Sequence, residues 1–315
     1  MPDRAERLLL LDSASLYYRA YFGVPDTITA PDGTPVNAVR GFLDMIARLV
    51  SQYRPTRLVA CWDDDWRPAW RVEAIPTYKT HRVAGGDPVA GPVPEETPDT
   101  LAPQVPVIAE TLAALGIARV GAPRCEADDV IGVLTTRASA GCAVDIVTGD
   151  RDLFQLVDDA RPVRVLYTSR GIRNLQVVDQ AELFARYGVS TGDGYADLAV
   201  LRGDTSDGIP GVAGIGEKTA AQLLDRFGTL AGVRAAVAQG SSQLTKAQRA
   251  RLEVAADYLD VAPAVVRVLR DADLPEADDR APRTPADMQH LGSLCEQWGL
   301  TTSVQRVLAA LSEGA

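Results

Sequence analysis

Cysteine and histidine are scarce in this chain of 315 residues. The four cysteines, Cys61, Cys125, Cys142 and Cys295, stand far apart with no C-x-x-C pair, and the only histidines are His81 and His290. That pattern excludes a disulfide framework and a Cys/His zinc site, and it fits reduced thiols in a cytoplasmic protein. No apolar run approaches the roughly 18 residues of a membrane span. The run at 8–11 is cut at once by Asp12, so neither a span nor a secretory signal is expected. Internal repeats and low-complexity tracts are also missing. Nor is positive charge in excess: 32 Lys and Arg against 42 Asp and Glu leave −10. A nucleic-acid binder is ordinarily basic, so the balance alone counts against DNA. The inference reverses if the extra carboxylates converge on metal cations, whose charge inverts the local field.

What is present is a globular composition. Apolar residues make up 46% and charged residues 23%, which disfavours disordered and fibrous classes. At roughly 100–200 residues per domain, the length suggests about two domains. Apolar runs of strand length occur at 8–11, 58–62 and 144–147, the kind buried in a parallel sheet. Between and after them, 36–53, 105–115 and 127–138 repeat apolar residues at helical spacing. The first part therefore alternates strand and helix, which predicts an α/β layout with a central, mostly parallel sheet. From about Asp179 the pattern becomes helices joined by Gly-containing turns, over 180–187, 194–201, 217–227 and 246–259. A division follows, into an α/β domain at 1–178 and a helical domain at 179–315. Pro and Gly break the pattern between 83 and 106, predicting an exposed connection, and 265–269 reads as a short edge strand.

Three of the apolar runs end in acid. Leu11 precedes Asp12, Trp62 precedes Asp63-Asp64-Asp65, and Val147 leads through Thr148-Gly149 to Asp150 and Asp152. In an open α/β sheet the carboxyl ends of parallel strands face one crevice, where such folds carry their sites. Asp12, one of Asp63 or Asp64, Asp150 and Asp152 are therefore expected to converge. Glu126, Asp128 and Asp129 open the helix at 127–138, where acids suit the positive end of the dipole. One such acid alone reads as a cap or turn residue. Seven in one pocket require protonation or bound cations, because like charges a few ångströms apart oppose joint ionisation. Oxygen-only ligands point to Mg²⁺ or Mn²⁺. Paired ions of that kind serve in-line displacement at phosphorus, so phosphodiester hydrolysis is the natural chemistry, with a small-substrate phosphatase as rival.

The second unit bears on that choice. Residues 202–219, RGDTSDGIPGVAGIGEKT, resemble a Walker A loop at first sight, but Glu217 stands where the Lys belongs and no buried strand precedes it. The better reading is a helix, a tight glycine turn and a second helix, with free backbone N–H groups facing a phosphate. Such a turn holds a DNA backbone without reading bases. Asp204 and Asp207 let the same segment bring ligands to the carboxylate pocket.

Five segments together resemble the flap endonuclease and 5′-3′ exonuclease family, in its bacterial form similar to the 5′-nuclease domain of DNA polymerase I. They are 8–22 (LLLLDSASLYYRAYF), 58–82 (LVACWDDDWRPAWRVEAIPTYKTHR), 125–132 (CEADDVIG), 148–156 (TGDRDLFQL) and 203–220 (GDTSDGIPGVAGIGEKTA). The resemblance implies a PIN-like 5′-nuclease fold with a helical arch at about 66–105 and a C-terminal helix-hairpin-helix (H3TH) domain whose turn is 203–220. It implies two or three Mg or Mn ions, with Asp12, Glu126, Asp128, Asp129, Asp150, Asp152, Asp204 and Asp207 as direct or water-mediated ligands. Counting back from Arg71 and Tyr78-Lys79 adds Asp64 to that set, whereas the end of the apolar strand adds Asp63. Asp63 is preferred, since the strand end fixes the backbone.

For DNA, the resemblance implies contacts from Arg19, Tyr78, Arg82, Gly211, Gly214, Gly216, Lys218 and Thr219. It implies catalytic roles for Arg71 and Lys79 at the phosphates, and a K⁺ ion at the turn. Over 66–82, Arg67, Arg71, Lys79 and Arg82 against Glu73 give 4 − 1 = +3, interleaved with Trp66, Trp70 and Tyr78. Basic residues can track phosphates while aromatic faces stack bases. The sequence departs from the family at Gly208, where bacterial relatives usually carry Asn, and at 83–94, which is richer in Gly and Pro than a helical arch. The expectation is a stand-alone, monomeric, nucleoid-associated 5′ nuclease of replication and repair. Its substrates would be 5′ flaps, nicked, gapped or 5′-ended duplexes and RNA–DNA hybrids. A structure-specific DNA-binding protein with negligible catalysis is the alternative.

Overall fold

A computed structural model describes residues 6–85 and 95–313. Its centre is a six-stranded sheet in the order β3-β2-β1-β4-β5-β6, built from β1 (Arg7–Asp12), β2 (Arg57–Cys61), β3 (Ala118–Val120), β4 (Ala143–Thr148), β5 (Val163–Tyr167) and β6 (Gln176–Val178). All neighbours are parallel except β5 and β6. The four leucines of β1 are buried on both faces, as a central parallel strand requires. The chain winds outward in opposite directions from β1, to β2 on one side and β4 on the other. That reversal opens a crevice at their carboxyl ends.

One face of the sheet is covered by α1 (Ser13–Gly23), α2 (Asn37–Tyr53) and α4 (Gln104–Leu115). The other carries α5 (Ala127–Arg137) and the helical unit: α6 (Gln180–Tyr187), α7 (Gly192–Arg202), α8 (Glu217–Phe227), α9 (Leu230–Ala238), α10 (Lys246–Val254) and α11 (Ala256–Val266). The stretch read as one helix at 246–259 is two, broken at Ala255. In the region expected to form an arch, the described residues contain only the short helix α3 (Ala69–Ala74), a 3₁₀ turn at Thr80–Arg82 and an antiparallel bridge from Val83 to Glu95. Residues 86–94 of that expectation lie outside the described residues.

Two expectations need correction. The segment 265–269 is no edge strand: α11 runs to Val266, and the residues after it pair with side chains instead of another strand. Nor does everything after residue 179 pack with the helical unit. Leu58 N donates to Asp279 O at 2.7 Å and Ala281 N to Thr56 O at 2.9 Å, tying the chain back to β2. Beyond this strap, α12 (Met288–Trp298) and α13 (Thr301–Glu313) bury Leu291, Leu294, Val304 and Val307 in the same core as Ile46 and Leu49 of α2 and Ile108 and Leu112 of α4. None of the helices among the described residues is long and apolar enough to cross a membrane.

Candidate active site

Asp12 is both the last residue of β1 and the N-cap of α1. Its Oδ1 accepts from Ser15 N at 3.3 Å and its Oδ2 from the Thr148 hydroxyl at 2.6 Å. Burial pushes this carboxyl up to about 7, and the neighbouring Asp63 and Asp150 push the same way against the Thr148 hydrogen bond. Asp63 follows β2, and its Oδ1 accepts from the Ala127 N–H at 2.9 Å. Burial raises its pKa, while the Ala127 N–H opposes the shift. Asp64 points elsewhere, to a partly exposed ion pair with Arg119 at 3.4 Å.

The helix α5 starts with a capping box, in which Glu126 is the N-cap and Asp129 Oδ2 accepts from Glu126 N at 3.1 Å. Asp129 also takes both guanidinium arms of Arg71, at 2.8 and 2.7 Å, and the Leu269 N–H at 2.9 Å. Glu126 accepts from Arg71 Nη1 at 2.9 Å, from the Tyr78 hydroxyl at 2.7 Å and from Lys79. Asp128 projects toward the Asp12 side. Burial raises its pKa well above normal, with Asp12 and Asp150 adding to the effect.

After β4, Asp150 N donates to Thr148 Oγ1 at 2.8 Å and Asp152 N donates to Asp150 Oδ1 at 2.9 Å, so the two acids share one tight turn. Asp152 is raised well above normal, first by burial and then by Asp150, Asp207 and Asp204. Those last two lie in the loop after α7, where Asp204 and Ile209 form a bridge and Asp207 pairs with Arg82 at 2.8 Å. The same loop touches the arch base: Lys79 N donates to Asp207 O at 2.9 Å and the Thr77 hydroxyl to Gly208 O at 2.6 Å. Gly208, at φ +70°, lies so close to Thr77 that a Cβ would stand 2.1 Å from Thr77 O. An Asn would not fit this packing.

Asp12, Asp63, Glu126, Asp128 and Asp150 line one cleft of about 470 Å³, together with Glu95 and Glu96, and only Lys79 and Arg82 among its walls carry fixed positive charge. Seven carboxylates against two cations, with Asp12, Asp63 and Asp128 pushed toward protonation, describe an environment short of positive charge. The donors are all oxygens, which suits a hard divalent ion. Among the described residues no three such side chains already form a coordination shell. Glu126 is turned to Arg71 and Lys79, and Asp207 to Arg82.

Not every expected residue reaches the cleft. Asp152, Asp204 and Asp207 form a second acidic group beside Asp150, outside the cleft lining. Asp129 does not line the cleft, and both its oxygens are bonded to Arg71 and backbone N–H groups. Arg71, expected at the phosphates, is 3% exposed and sits beneath the acids, with Trp70 over its guanidinium at 4.4 Å. Tyr78 is 4% exposed and cannot stack a base; its hydroxyl steadies Glu126 instead. Lys79 lines the cleft. Burial opposes its charge, but the Glu126 carboxylate outweighs this and raises its pKa well above normal.

Arg19 lies in a larger groove of about 1450 Å³ that meets the cleft at Ser15, Tyr18 and Gly149. In the helical unit, Gly211 and Gly214 take left-handed backbone at φ +67° and +77°. Gly216 caps α8 with no side chain over the free N–H groups, Lys218 is exposed and Thr219 half-buried. Sequence reasoning missed Thr148, Ser15, Glu95 and Glu96. Thr148 becomes visible only through register: Leu11 faces Val147, which sets Thr148 beside Asp12.

The chain matches two family models: the 5′-3′ exonuclease N-terminal resolvase-like domain over residues 7–188, and the 5′-3′ exonuclease C-terminal SAM fold over 190–289. It is 62% identical to a 5′-3′ exonuclease of Streptomyces coelicolor, over 96% of this chain and 100% of that one. It is 49% identical to a 5′-3′ exonuclease of Mycobacterium tuberculosis, over 96% and 97%. DNA polymerase I of Mycobacterium bovis is 36% identical over 93% of this chain, which spans 30% of that protein. In fold it resembles the T5 D15 protein co-crystallised with metal ions, at TM-score 0.62 and 15% identity over 98% of this chain and 97% of that one. It also resembles the catalytic core of Rad2 in complex with DNA substrate, at TM-score 0.57 and 20% identity over 99% and 95%. The two models together span residues 7–289, and two relatives named 5′-3′ exonuclease match over 96% of the chain and nearly all of their own length, so the chain belongs to the 5′-3′ exonuclease family.

Proposed function

We propose that this protein is a structure-specific 5′ nuclease that hydrolyses DNA phosphodiesters near 5′ ends and flap junctions, using Mg²⁺ or Mn²⁺. The observation that carries the reading is the meeting of acids from three strand ends, Asp12, Asp63 and Asp150, with Glu126 and Asp128 of α5 in one cleft. The ligands we propose are these five, with Asp152, Asp204 and Asp207 reaching a neighbouring ion. When bound, the ions supply Lewis acidity and an activated water.

The chain's own residues do the rest. Gly216 and the N-terminus of α8, with Lys218 and Thr219, hold a duplex phosphate. Lys79 and Arg82, at the edge of the cleft, exchange their carboxylate partners for substrate phosphates. Thr148 and Ser15 keep Asp12 and the Gly149 turn in place. Arg19 extends the positive track into the adjoining groove. A K⁺ ion at the turn rests on family resemblance; Gly214 O there already accepts from Arg251 Nη1 at 2.8 Å. A monomeric, cytoplasmic, nucleoid-associated enzyme that also accepts RNA–DNA hybrids is the accompanying proposal.

The test is cleavage of a labelled 5′-flap duplex and a 5′-recessed duplex with Mg²⁺, by the parent protein and Asp150→Ala. Cleavage by the parent alone supports the reading. Binding without cleavage by the parent would leave a DNA-binding protein, and phosphate release from free nucleotides that DNA does not suppress would leave a phosphatase.

A further inference from the structure

The chain leaving α11 is held by side chains where the sequence reads as an edge strand. Val265 O accepts from Arg71 Nε at 3.2 Å, and Val266 O from Gln155 Nε2 at 3.1 Å. Val268 N donates to Gln155 Oε1 at 3.0 Å and Leu269 N to Asp129 Oδ1 at 2.9 Å. The Gln155 amide thus bonds on both sides of Arg267, as the peptide of a neighbouring strand would. All three partners come from outside the helical unit, and each also touches an acid-bearing segment. Arg71 bonds Glu126, Asp129 caps α5, and the second N–H of Gln155 donates to Asp152 O at 2.8 Å.

Gln155 is 2% exposed and lies in the 3₁₀ turn Asp152–Leu156. Both amide hydrogens and the amide oxygen have partners, so the side chain is fully satisfied. Its backbone O accepts from Arg270 Nη2 at 3.3 Å, and Gly192 presses so near that a Cβ there would stand 2.3 Å from it. The turn it anchors carries Asp152, whose N–H in turn orients Asp150.

We propose that Gln155 is a positioning residue, which fastens the turn bearing Asp150 and Asp152 to the end of α11 and so fixes those acids against Asp204 and Asp207 of the helical unit. The proposal rests on the nuclease reading above. Partners that orient metal-ligating groups from behind are worth about 10–100-fold in affinity or activity, although they touch neither ion nor substrate.

The experiment uses the full chain with Gln155→Met, which keeps the length and removes every amide bond, and Gln155→Glu, which keeps an acceptor for Val268 N–H but no donors. Three quantities are read: Mn²⁺ binding to the DNA-free protein by calorimetry, kcat and KM on 5′-flap DNA, and amide exchange at Val268 and Leu269. Gln155→Met is expected to weaken Mn²⁺ binding and lower kcat by about 10-fold each, with KM within about twofold, and to lose protection at Val268. Gln155→Glu is expected to keep that protection yet lose Mn²⁺ affinity, and it carries the test should the Met variant not fold. Leu49→Ala, in the opposite core, controls for lost stability. Either folded Gln155 variant behaving like the parent overturns the proposal, as would the same losses in Leu49→Ala. If the parent cuts no 5′-ended DNA the nuclease reading fails by itself, while Mn²⁺ titration and exchange still decide the role of Gln155.

Discussion

The Asp63 carboxylate accepts a 2.9 Å hydrogen bond from the backbone N–H of Ala127. This bond joins the end of β2 to the first turn of α5 and aims Asp63 at Asp12, while Asp64 turns outward to Arg119. The two adjacent acids therefore face different surroundings. Asp63→Ala should lower Mg²⁺-dependent cleavage by at least about 100-fold, the upper end of what an orienting partner alone contributes. Asp64→Ala, a surface change, should stay within about twofold. Steady-state rates on one 5′-flap substrate decide it; equal losses would place both acids in the site.

Asp12 makes the metal-free protein sensitive to pH. Its folded pKa is about 7, against about 3.9 for an unfolded aspartate. Because the folded state holds the proton more tightly, stability is greatest below the unfolded value and is lost as pH rises through about 7. From pH 6 to pH 8 this one group costs about 1.4 kcal/mol, or roughly 2–4 °C of Tm for a chain of this size. Melting in EDTA should therefore begin lower at pH 8 than at pH 6. Saturating Mg²⁺ should erase or reverse the difference, and Asp12→Asn should reduce it, leaving the share of Asp63, Asp128 and Asp152, which burial raises in the same direction. A Tm that rises with pH in EDTA would contradict the burial argument.

Arg71 belongs to the foundation of the site. Its guanidinium is 3% exposed and bonded to Asp129, Glu126 and Val265 O. Removing one partner of a buried pair leaves the other charge uncompensated, so Arg71→Ala should cost about 3–5 kcal/mol in denaturant unfolding. Arg71→Lys should recover little, since a single ammonium cannot span both Asp129 oxygens and Val265 O. Unchanged stability in Arg71→Ala together with a collapsed kcat would return Arg71 to the catalytic group.

Much of this arrangement was legible in the sequence because it follows from strand ends. Leu11-Asp12, Trp62-Asp63 and Val147 to Asp150 each announce a buried run stopping at an acid, and parallel topology then forces them together. Illegible were partners that depend on register or on contacts between distant segments, such as Thr148 with Asp12 and Gln155 with Val268. The burial of Arg71 and Tyr78 was illegible for a related reason: composition shows that both lie in a cationic, aromatic stretch, but not that they fold under the acids. The last two helices escaped because α13 shows only ordinary amphipathic spacing, and nothing local says that its apolar side returns to α2.

That return yields a prediction about truncation. A chain stopped after Leu274 keeps the whole H3TH turn but uncovers Ile46, Leu49, Ile108 and Leu112, which are fully buried in the intact fold. Contiguous apolar surface of that kind drives association. The truncated protein is expected to aggregate or to lose its cooperative melting, whereas a helical domain independent of the sheet would leave a soluble α/β part. Gel filtration and calorimetry separate these outcomes.

Lys79 presents an exchange between two cations. Its ammonium pairs with Glu126, whose other oxygen is held by Arg71 and Tyr78, so a divalent ion must compete with Lys79 for that carboxylate. Lys79 also lines the cleft, together with Arg82. Lys79→Ala should therefore move two measurements in opposite directions. Mn²⁺ binding to the DNA-free protein should tighten, by about 10-fold if the lost competition amounts to one charge-assisted hydrogen bond of about 1.5 kcal/mol. Cleavage should fall by about 100-fold as transition-state charge loses a donor. Weaker Mn²⁺ binding in Lys79→Ala would show that Lys79 organises Glu126 for the ion and does not compete with it. Unaltered cleavage would remove Lys79 from the phosphate path.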